Sequence, residues 1–226
     1  MHYVVASWNI EKNGQSSTGI KQQKVSDFID FCSSIPVHII FLCEVHSSRV
    51  KDYASHLRNV YGLSYHVESL PGGHSNAYIV MIRKSLKADP MQDRLKGLNR
   101  GAIILQIDND LLLTLAHFKS GQNGLTKDQL QNAAGFLDGA QPGRWAIIGD
   151  MNWDYRNKGA LTVPGGAHAS SCWPDMSQAK GGILDWCLAG GATQVEPLDC
   201  NSLLSDETKD MTGPDHRPVI FTLGPS

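Results

Sequence analysis

The sequence predicts two packed β-sheets flanked by helices, and three observations support this prediction. About nine apolar segments of strand length alternate with about three segments of helical periodicity. The chain of 226 residues contains no internal repeat, charge run or Pro/Ser-rich linker, so we expect one domain over residues 1–226. Polar residues repeatedly follow an apolar strand, where loops on a rigid sheet often contain functional residues.

The first half of the chain opens with an apolar strand over residues 3–8 that ends at Asn9. A helix with one buried face is indicated by the i, i+3, i+4, i+7 spacing of Val25, Phe28, Ile29 and Cys32. A second helix is expected from residue 47 to about residue 57. The other expected strands cover residues 38–43, with Glu44 at the strand end, 63–67 and 77–82.

The second half contains a predicted hairpin and a predicted helix. Strands over residues 102–107 and 111–116 are expected to pair through the turn Asp108-Asn109-Asp110. Thr126 and Gln129 have the spacing of a capping box, so a helix is expected to begin at Thr126. Residues 157–182 are rich in Gly, Ser and Pro and are expected to form a loop. The remaining expected strands cover residues 145–148, 183–188 and 219–223.

Charge and hydropathy exclude some classes of protein. A net charge of −2 argues against a protein that holds nucleic acid mainly through a basic surface, although an enzyme that grips one or two phosphates stays compatible with it. No apolar run is long enough to cross a bilayer, and the N-terminus does not have the pattern of a secretory signal. A cytoplasmic protein, a protein exported without a signal peptide and a mature secreted form all remain open.

The five cysteines are odd in number and never spaced as C-x-x-C, so they do not predict a zinc site or a dense disulfide framework. Cys32 and Cys43 lie in apolar segments and are expected to be buried thiols. One disulfide among the other three cysteines stays open, and with it the redox compartment.

A set of polar residues recurs just after apolar strands. Asp185 differs, because it lies inside the apolar segment GILDW, where a lone carboxylate costs free energy unless it is paired, ligated or hydrogen-bonded. The pattern predicts one shared site. The residues that follow strands are Asn9, Glu44, His117, Asp150, Asn152, Asp215 and His216.

These residue types suit the hydrolysis of a phosphate ester. Mg²⁺ prefers carboxylate and water oxygens, and Glu44 and Asp215 fit that role. Charge that develops on phosphoryl oxygens is stabilised by a cation, an imidazolium or amide N–H groups. A water nucleophile needs a base, and Asp150 or a His–Asp pair suits that function.

Each residue alone also has a purely structural interpretation. Glu44 at a strand end would more often be a solvated surface residue, and residues 150–152 alone would indicate a turn or a helix cap. A lone His117 on an apolar strand is usually a hydrogen-bonded core histidine, and residues 215–216 could form a simple turn. Only the combination in this order predicts an active site.

The combination resembles the endonuclease/exonuclease/phosphatase superfamily, which holds DNase I-like nucleases, exonuclease III-like repair enzymes, sphingomyelinases and inositol-polyphosphate phosphatases. The resemblance runs from WNI at residues 8–10 to DHRPV at residues 215–219, with GDMN and LDW between them. Within the superfamily the chain is similar to the catalytic B subunit of cytolethal distending toxins. That similarity rests on the segments GGHSNAYIVMIRKS, NRGAIILQIDNDLLLTLAHF, WAIIGDMNWD and LDWCLAGG.

The resemblance implies a four-layer α/β/β/α sandwich of two mainly antiparallel or mixed sheets and a divalent cation, Mg²⁺, for which Mn²⁺ or Ca²⁺ can substitute. Glu44 would ligate the cation, with Asn9 beside it and Asp215 completing that side. A toxin subunit of this kind would need partner subunits, which the sequence does not identify.

The resemblance also implies roles for the catalytic residues. Asp150 would orient or deprotonate the attacking water, and Asn152 would hydrogen-bond the scissile phosphate. His117 and His216 would face the phosphate from two sides. The residues implied to assist are Asp185, which would orient His216, Asn76, which would support His117, and Arg100, which would contact a phosphate.

Local charges around the site give conflicting indications about the substrate. Glu11 stands where DNase I-like enzymes carry a basic DNA contact, and an anion there would repel a phosphate backbone. If the protein binds DNA, we expect the binding to come from a groove near Arg100, Lys119 and Arg156.

Three functions compete on the sequence alone. The first is a DNase I-like endonuclease that hydrolyses DNA, and the second is a phosphatase or phosphodiesterase acting on a phosphoinositide or another lipid or small-molecule phosphate with the same site. The third is a catalytically silent binding module. The chain length mildly favours the nuclease, and the intact set of catalytic side chains disfavours the silent module.

Overall fold

A computed structural model of the protein describes residues 1–11, 19–73, 75–90, 102–121 and 123–226. The described chain forms twelve strands. In chain order they are β1 (Tyr3–Asn9), β2 (Ile39–His46), β3 (Tyr65–Pro71), β4 (Asn76–Arg83), β5 (Ala88–Pro90), β6 (Ile103–Ile107), β7 (Leu111–His117), β8 (Trp145–Asp150), β9 (His168–Ser170), β10 (Asp185–Gly190), β11 (Thr193–Pro197) and β12 (Val219–Pro225).

The strands form two mixed sheets of six strands each. The first sheet has the order β11-β12-β1-β2-β4-β3, and the second has the order β5-β6-β7-β8-β10-β9. Each sheet contains one parallel pair, β1 with β2 and β7 with β8, and its other pairs are antiparallel. The predicted sandwich of two mixed sheets is confirmed.

Helices cover the outer faces of both sheets. The described helices are α1 (Gly19–Ser34), α2 (Val50–Tyr61), α3 (Asn123–Asp138), α4 (Cys200–Leu203) and α5 (Asp206–Lys209), with a 3-10 helix at Tyr155–Ala160. The predicted buried face of α1 is confirmed, and its Phe28 packs edge-on against Trp8 of β1, with ring centroids 5.1 Å apart. Leu130, Ala133 and Leu137 of α3 pack against the outer face of the second sheet.

Alternation along the strands of the second sheet divides its side chains between two cores. On β7, Leu113 and Leu115 face the first sheet, whereas Leu112 packs in the core under α3. On β8, Ile148 belongs to the core between the sheets and Ile147 to the core under α3. Because both faces are buried, the sequence of these strands is almost continuously apolar.

The hairpin between β6 and β7 forms as predicted. Asp108 and Asn109 have positive φ angles of 49° and 56°, and the N–H of Asp110 donates to the carbonyl of Ile107 at 2.8 Å. Two consecutive residues with positive φ define a tight turn whose twist matches that of the paired strands, and Asp and Asn tolerate this conformation.

The structure corrects the predicted start of α3. The helix begins at Asn123, not at Thr126, and the side chains of the predicted capping pair bind another segment of the chain. The Thr126 hydroxyl donates to the carbonyl of Lys119 at 2.5 Å, and the Gln129 side chain accepts from the N–H of Lys119 at 3.3 Å. These side chains therefore attach α3 to the segment that follows β7.

The sequence did not predict β5, β9, β11, the 3-10 helix, α4 or α5. The strands β5 and β9 contain three residues each and lie at the edges of the second sheet. The strand β11 is the polar edge strand TQVEP, in which only Thr193 is buried. Short or polar edge strands lack the apolar run on which a strand prediction depends.

All five cysteines are buried free thiols, so the disulfide that the sequence left open is not formed. Within the described part of the chain, no helix has the length and apolar character required to cross a bilayer.

We predict that Gly149→Ala destabilises the fold. Gly149 of β8 has a φ of +142°, and a Cβ atom there would lie 2.1 Å from the carbonyl oxygen of Ala116 on β7. Because the contact is with backbone, the two strands would have to separate, and we expect a loss of at least about 2 kcal/mol in the free energy of unfolding. Chemical denaturation measures this loss.

Gly135→Ala is the matched control. Gly135 is exposed in α3 and a Cβ atom there meets no atom within 4 Å, so Ala should raise stability by about 0.5–1 kcal/mol. Equal stabilities of the two variants would contradict the close approach of β7 and β8 at Gly149.

Candidate active site

Strand register aligns three of the predicted residues in one row across the second sheet. His117 of β7 pairs with Asp150 of β8 in parallel register, and Asp150 pairs with Asp185 of β10 in antiparallel register. All three side chains are at most 1% exposed. Directly paired residues point to the same face of a sheet, so the row forms the floor of one site.

Asp150 is held by one donor from the first sheet and one from the segment that follows β8. Its Oδ2 accepts from Nδ2 of Asn9 on β1 at 2.9 Å, and its Oδ1 accepts from the backbone N–H of Asn152 at 2.9 Å. The side chain of Asn152 donates to the carbonyl of Phe118 at 2.8 Å, and an amide nitrogen has a second hydrogen to offer. Asp150 is therefore fixed in orientation while each of its oxygens retains an acceptor position.

Glu44 reaches this row from the first sheet, and the structure corrects its predicted location. It lies inside β2, not at the strand end, at a register shift between Leu42 and Val45, and its φ is +56°. The bulge directs the carboxylate to Nε2 of His117, at 3.2 Å from Oε1. Nε2 of His117 is also 3.7 Å from Oδ2 of Asp150, so His117 lies between two carboxylates.

His216 forms the other half of the site with Asp185. Its Nδ1 lies 2.7 Å from Oδ2 of Asp185, and its Nε2 lies 3.9 Å from Oδ2 of Asp150. The indole N–H of Trp8 donates to the His216 carbonyl at 2.8 Å. Burial lowers the pKa of the ring, but the carboxylates of Asp185, Asp150 and Asp215 outweigh burial and raise the pKa of His216 to about 10. The raised pKa favours the imidazolium form of His216.

Asp215 lies at the rim of the site and is 31% exposed. Its Oδ2 accepts from the side-chain amide of Gln178 at 3.0 Å, and its Oδ1 lies 3.9 Å from Nε2 of His216. A continuous series of contacts thus connects Glu44, His117, Asp150, His216 and Asp215. The structure brings these five predicted residues together.

The residues predicted to assist occupy different positions. Asn76 is buried at the start of β4, and its side-chain oxygen has no hydrogen-bond partner among the described residues. The guanidinium of Arg156 is bound by the carboxylate of Asp154 and donates to the carbonyl of Gly181 at 2.7 Å. Lys119 is partly exposed beyond β7. Arg100 lies outside the described residues.

The acidic residues around the site are balanced by cations. Glu11 is bound by Nζ of Lys21 at 3.0 Å, so the repulsive anion expected from the sequence is largely neutralised. Arg156 and the adjacent Asp154 form a second pair, and Arg217 lies 3.2 Å from Asp175 in a third. Local acidity therefore gives no strong argument against an anionic substrate.

The donor set fits a hard divalent cation. Mg²⁺ needs only one or two protein carboxylates beside its waters, and Glu44 and Asp215 each present a partly exposed carboxylate. Asp150, Asp185 and His216 also have ligand atoms within 4.8 Å of one another. That buried group suits an acid–base pair better, because Asp185 and His216 already satisfy each other through a contact of 2.7 Å.

Ser177 and Gln178 are functional candidates that the sequence interpretation missed. Ser177 donates to Asp185 at 2.8 Å, and Gln178 donates to Asp215. Both lie in the segment 157–182, which was predicted only as a loop. No periodic pattern marks them, since their positions depend on contacts with distant parts of the chain.

Comparison with known proteins identifies the family of the chain. The sequence model described as the Endonuclease/Exonuclease/phosphatase family matches residues 6–206, so the chain belongs to this family of phosphoesterases. Asp215 and His216 follow the matched residues, and their assignment to the site rests on the distances given above. No curated relative matches the chain in sequence.

Solved structures share the fold at low sequence identity. D. rerio TDP2 complexed with single-strand DNA product has a TM-score of 0.70 at 14% identity, with 99% of each chain covered. The human Nocturnin catalytic domain with bound sulfate has a TM-score of 0.67 at 14% identity, covering 100% of this chain and 95% of that one. ANGEL2, a 2′,3′-cyclic phosphatase in complex with adenosine-2′,3′-vanadate, has a TM-score of 0.66 at 11% identity, covering 99% and 95%.

We predict that Asp185→Asn destabilises the protein through loss of the buried ion pair with His216. Removing Asp185 leaves the buried ring with only the more distant carboxylates of Asp150 and Asp215, each 3.9 Å away, and we expect a cost of up to about 3 kcal/mol. Asp175→Asn is the control, because the Asp175 carboxylate is 56% exposed and its pairing with Arg217 is worth less than about 1 kcal/mol. Urea unfolding in which both variants lose the same stability would show that Asp185 and His216 are not a buried ion pair.

Proposed function

We propose that this protein is a divalent-cation-dependent phosphodiesterase that cleaves DNA internally. The observation that supports the proposal is the series of contacts from Glu44 through His117, Asp150 and His216 to Asp215, in which no step exceeds 3.9 Å. Carboxylates at the rim, a buried carboxylate and an imidazolium then lie within reach of one phosphate group.

Glu44 and Asp215 would hold the cation, with Asn9 beside Glu44. The Oδ1 of Asn9 already accepts from the N–H of Glu11 at 3.0 Å, and one further lone pair remains. The bound cation would supply Lewis-acid stabilisation of negative charge on the phosphoryl oxygens.

Asp150 suits the orientation and deprotonation of the attacking water. Asn9 and Asn152 fix its carboxylate, so little reorganisation is needed when it accepts a proton. The imidazolium of His216 and the free N–H of Asn152 would stabilise charge on the phosphate, with His117 facing it from the Glu44 side. The water oxygen forms the new P–O bond as the bond to the leaving sugar oxygen breaks.

The choice of DNA rests on the shared family and on one of the similar structures, D. rerio TDP2, which is complexed with a single-strand DNA product. The closer similarity to the B subunit of cytolethal distending toxins stays a prediction. Contacts of Arg100, Lys119 and Arg156 with the DNA backbone also stay predictions, and Arg156 would have to leave Asp154 to make one.

We predict that the purified protein nicks supercoiled plasmid with Mg²⁺ and is inactive in EDTA. Glu44→Gln should raise the Mg²⁺ concentration needed for half-maximal nicking, because a neutral amide is a weaker ligand than a carboxylate. Glu68→Gln, at an exposed glutamate of β3 in the same sheet, is the control and should behave as wild type.

Two outcomes would oppose this proposal. Full nicking with excess chelator would remove the cation from the mechanism. Phosphate release from a short-chain phosphoinositide, with the plasmid left supercoiled at high enzyme, would establish the lipid phosphatase in place of the nuclease.

We predict that His117→Ala, Asp150→Ala and His216→Ala each lower the nicking rate by about 10²-fold or more. Because the three side chains act on one phosphate, the triple variant should lose far less than the product of the single losses. Single-turnover rates measure both effects, with exposed His66→Ala as the control. Near-wild-type rates in two of the three folded single variants would refute the assignment of the site.

A further inference from the structure

Ser177 is fully buried and its hydroxyl has a single possible orientation. Its Oγ accepts from the backbone N–H of Leu184 at 2.8 Å and from that of Asp185 at 2.9 Å. With both acceptor positions used, its one proton points to Oδ2 of Asp185 at 2.8 Å. This is the same oxygen that faces Nδ1 of His216.

Gln178 binds Asp215, the acidic residue of the terminal DHRPV motif. Its side-chain amide nitrogen donates to Oδ2 of Asp215 at 3.0 Å, and its side-chain oxygen accepts from the N–H of Lys180 at 3.0 Å. Backbone bonds join the same segments, because Ala179 donates to the Asp215 carbonyl at 2.8 Å and Arg217 donates to the Ser177 carbonyl at 2.7 Å. The two segments are therefore held in fixed register.

From these contacts we propose that Ser177 and Gln178 are positioning residues with separate tasks at one site. Ser177 aligns Asp185 with His216, and Gln178 binds one oxygen of Asp215 so that the other stays directed into the site. The inference deepens the proposed function and rests on it for the role of Asp215 as a cation ligand.

The orientation of Asp185 depends on few contacts. Its second oxygen, Oδ1, is buried without a hydrogen-bond partner among the described residues, so the carboxylate is oriented through Oδ2 alone. Without the Ser177 hydroxyl, His216 is the one side-chain donor left to Oδ2 within the described chain. Asp215 is 31% exposed, and its side chain would gain rotational freedom without the Gln178 amide.

The two roles predict different losses of kcat and of Mg²⁺ affinity when Ser177 and Gln178 are replaced one at a time. Ser177→Ala should lower kcat by roughly 10- to 100-fold, as expected when a catalytic pair is misaligned, with the Kd for Mg²⁺ close to that of wild type. Gln178→Leu should weaken Mg²⁺ binding by roughly 10-fold or more, and its activity should recover as Mg²⁺ is raised. Isothermal titration with Mg²⁺ alone and plasmid nicking over a Mg²⁺ series measure the two quantities.

A spectroscopic signal tests the Ser177 half without substrate or metal. The proton shared by Nδ1 of His216 and Asp185 should give a downfield proton NMR resonance, identified by its loss in Asp185→Asn. Ser177→Ala should shift or broaden this resonance, Ser177→Thr should restore it together with kcat, and Gln178→Leu should leave it in place.

Matched controls come from side chains that hold loops away from the site. Ser171→Ala removes a hydroxyl bound to the Trp173 carbonyl, and Gln131→Leu removes an amide bound to the N–H of Thr162. Both should retain wild-type kcat, Mg²⁺ affinity and NMR signal. Thermal melting confirms that each variant folds, and Ser177→Cys, which leaves no cavity but donates weakly, replaces Ser177→Ala if the latter does not fold.

Each half of the proposal has its own contrary result. An unchanged NMR signal and an unchanged kcat in Ser177→Ala would overturn the role of Ser177. Wild-type Mg²⁺ affinity in Gln178→Leu would overturn the role of Gln178. Equal losses of kcat and Mg²⁺ affinity in both variants would indicate a merely structural loop and overturn both. If wild type neither binds Mg²⁺ nor nicks plasmid, the proposed function and the Gln178 role fail, while the NMR signal still decides the Ser177 role.

Discussion

The hydrogen-bond register between β7, β8 and β10 is the constraint on which the site depends. It places His117, Asp150 and Asp185 opposite one another, so that all three point to the same face. Since side chains alternate along a strand, a slip of one residue would move a residue of the candidate site to the face under α3. The close approach of β7 and β8 at Gly149 helps to define this register, because no side chain fits between the two strands there.

Packing of the two sheets brings the residues of the first sheet to the site. Asn9 and Glu44 extend from the first sheet toward Asp150 and His117, so half of the site depends on the core between the sheets. Several carboxylates converge in a buried region, an arrangement that costs free energy unless each is paired or hydrogen-bonded. The imidazolium of His216 and the amides around Asp150 offset that cost, and the same groups are suited to bind a phosphate. The same contacts therefore stabilise the fold and prepare the site for its proposed chemistry.

The sequence predicted the parts of the molecule that burial determines. Long apolar runs identified every central strand, and most of the polar residues that follow them lie together in the candidate site. The bulge at Glu44 was not predictable, since a positive φ at Glu reflects tertiary contacts and no residue preference. Ser177 and Gln178 were not predicted for a similar reason. They lie in a loop whose structure depends on contacts with Asp185 and Asp215, which come later in the sequence.

The proposed cation site lies beside Glu44, and anomalous scattering from crystals soaked in Mn²⁺ tests this location most directly. We expect one strong peak beside the carboxylates of Glu44 and Asp215. The imidazole of His216 should then still be hydrogen-bonded to Asp185. A peak enclosed by Asp150, Asp185 and His216, with the contact between Asp185 and His216 broken, would contradict the separation of cation site and acid–base pair.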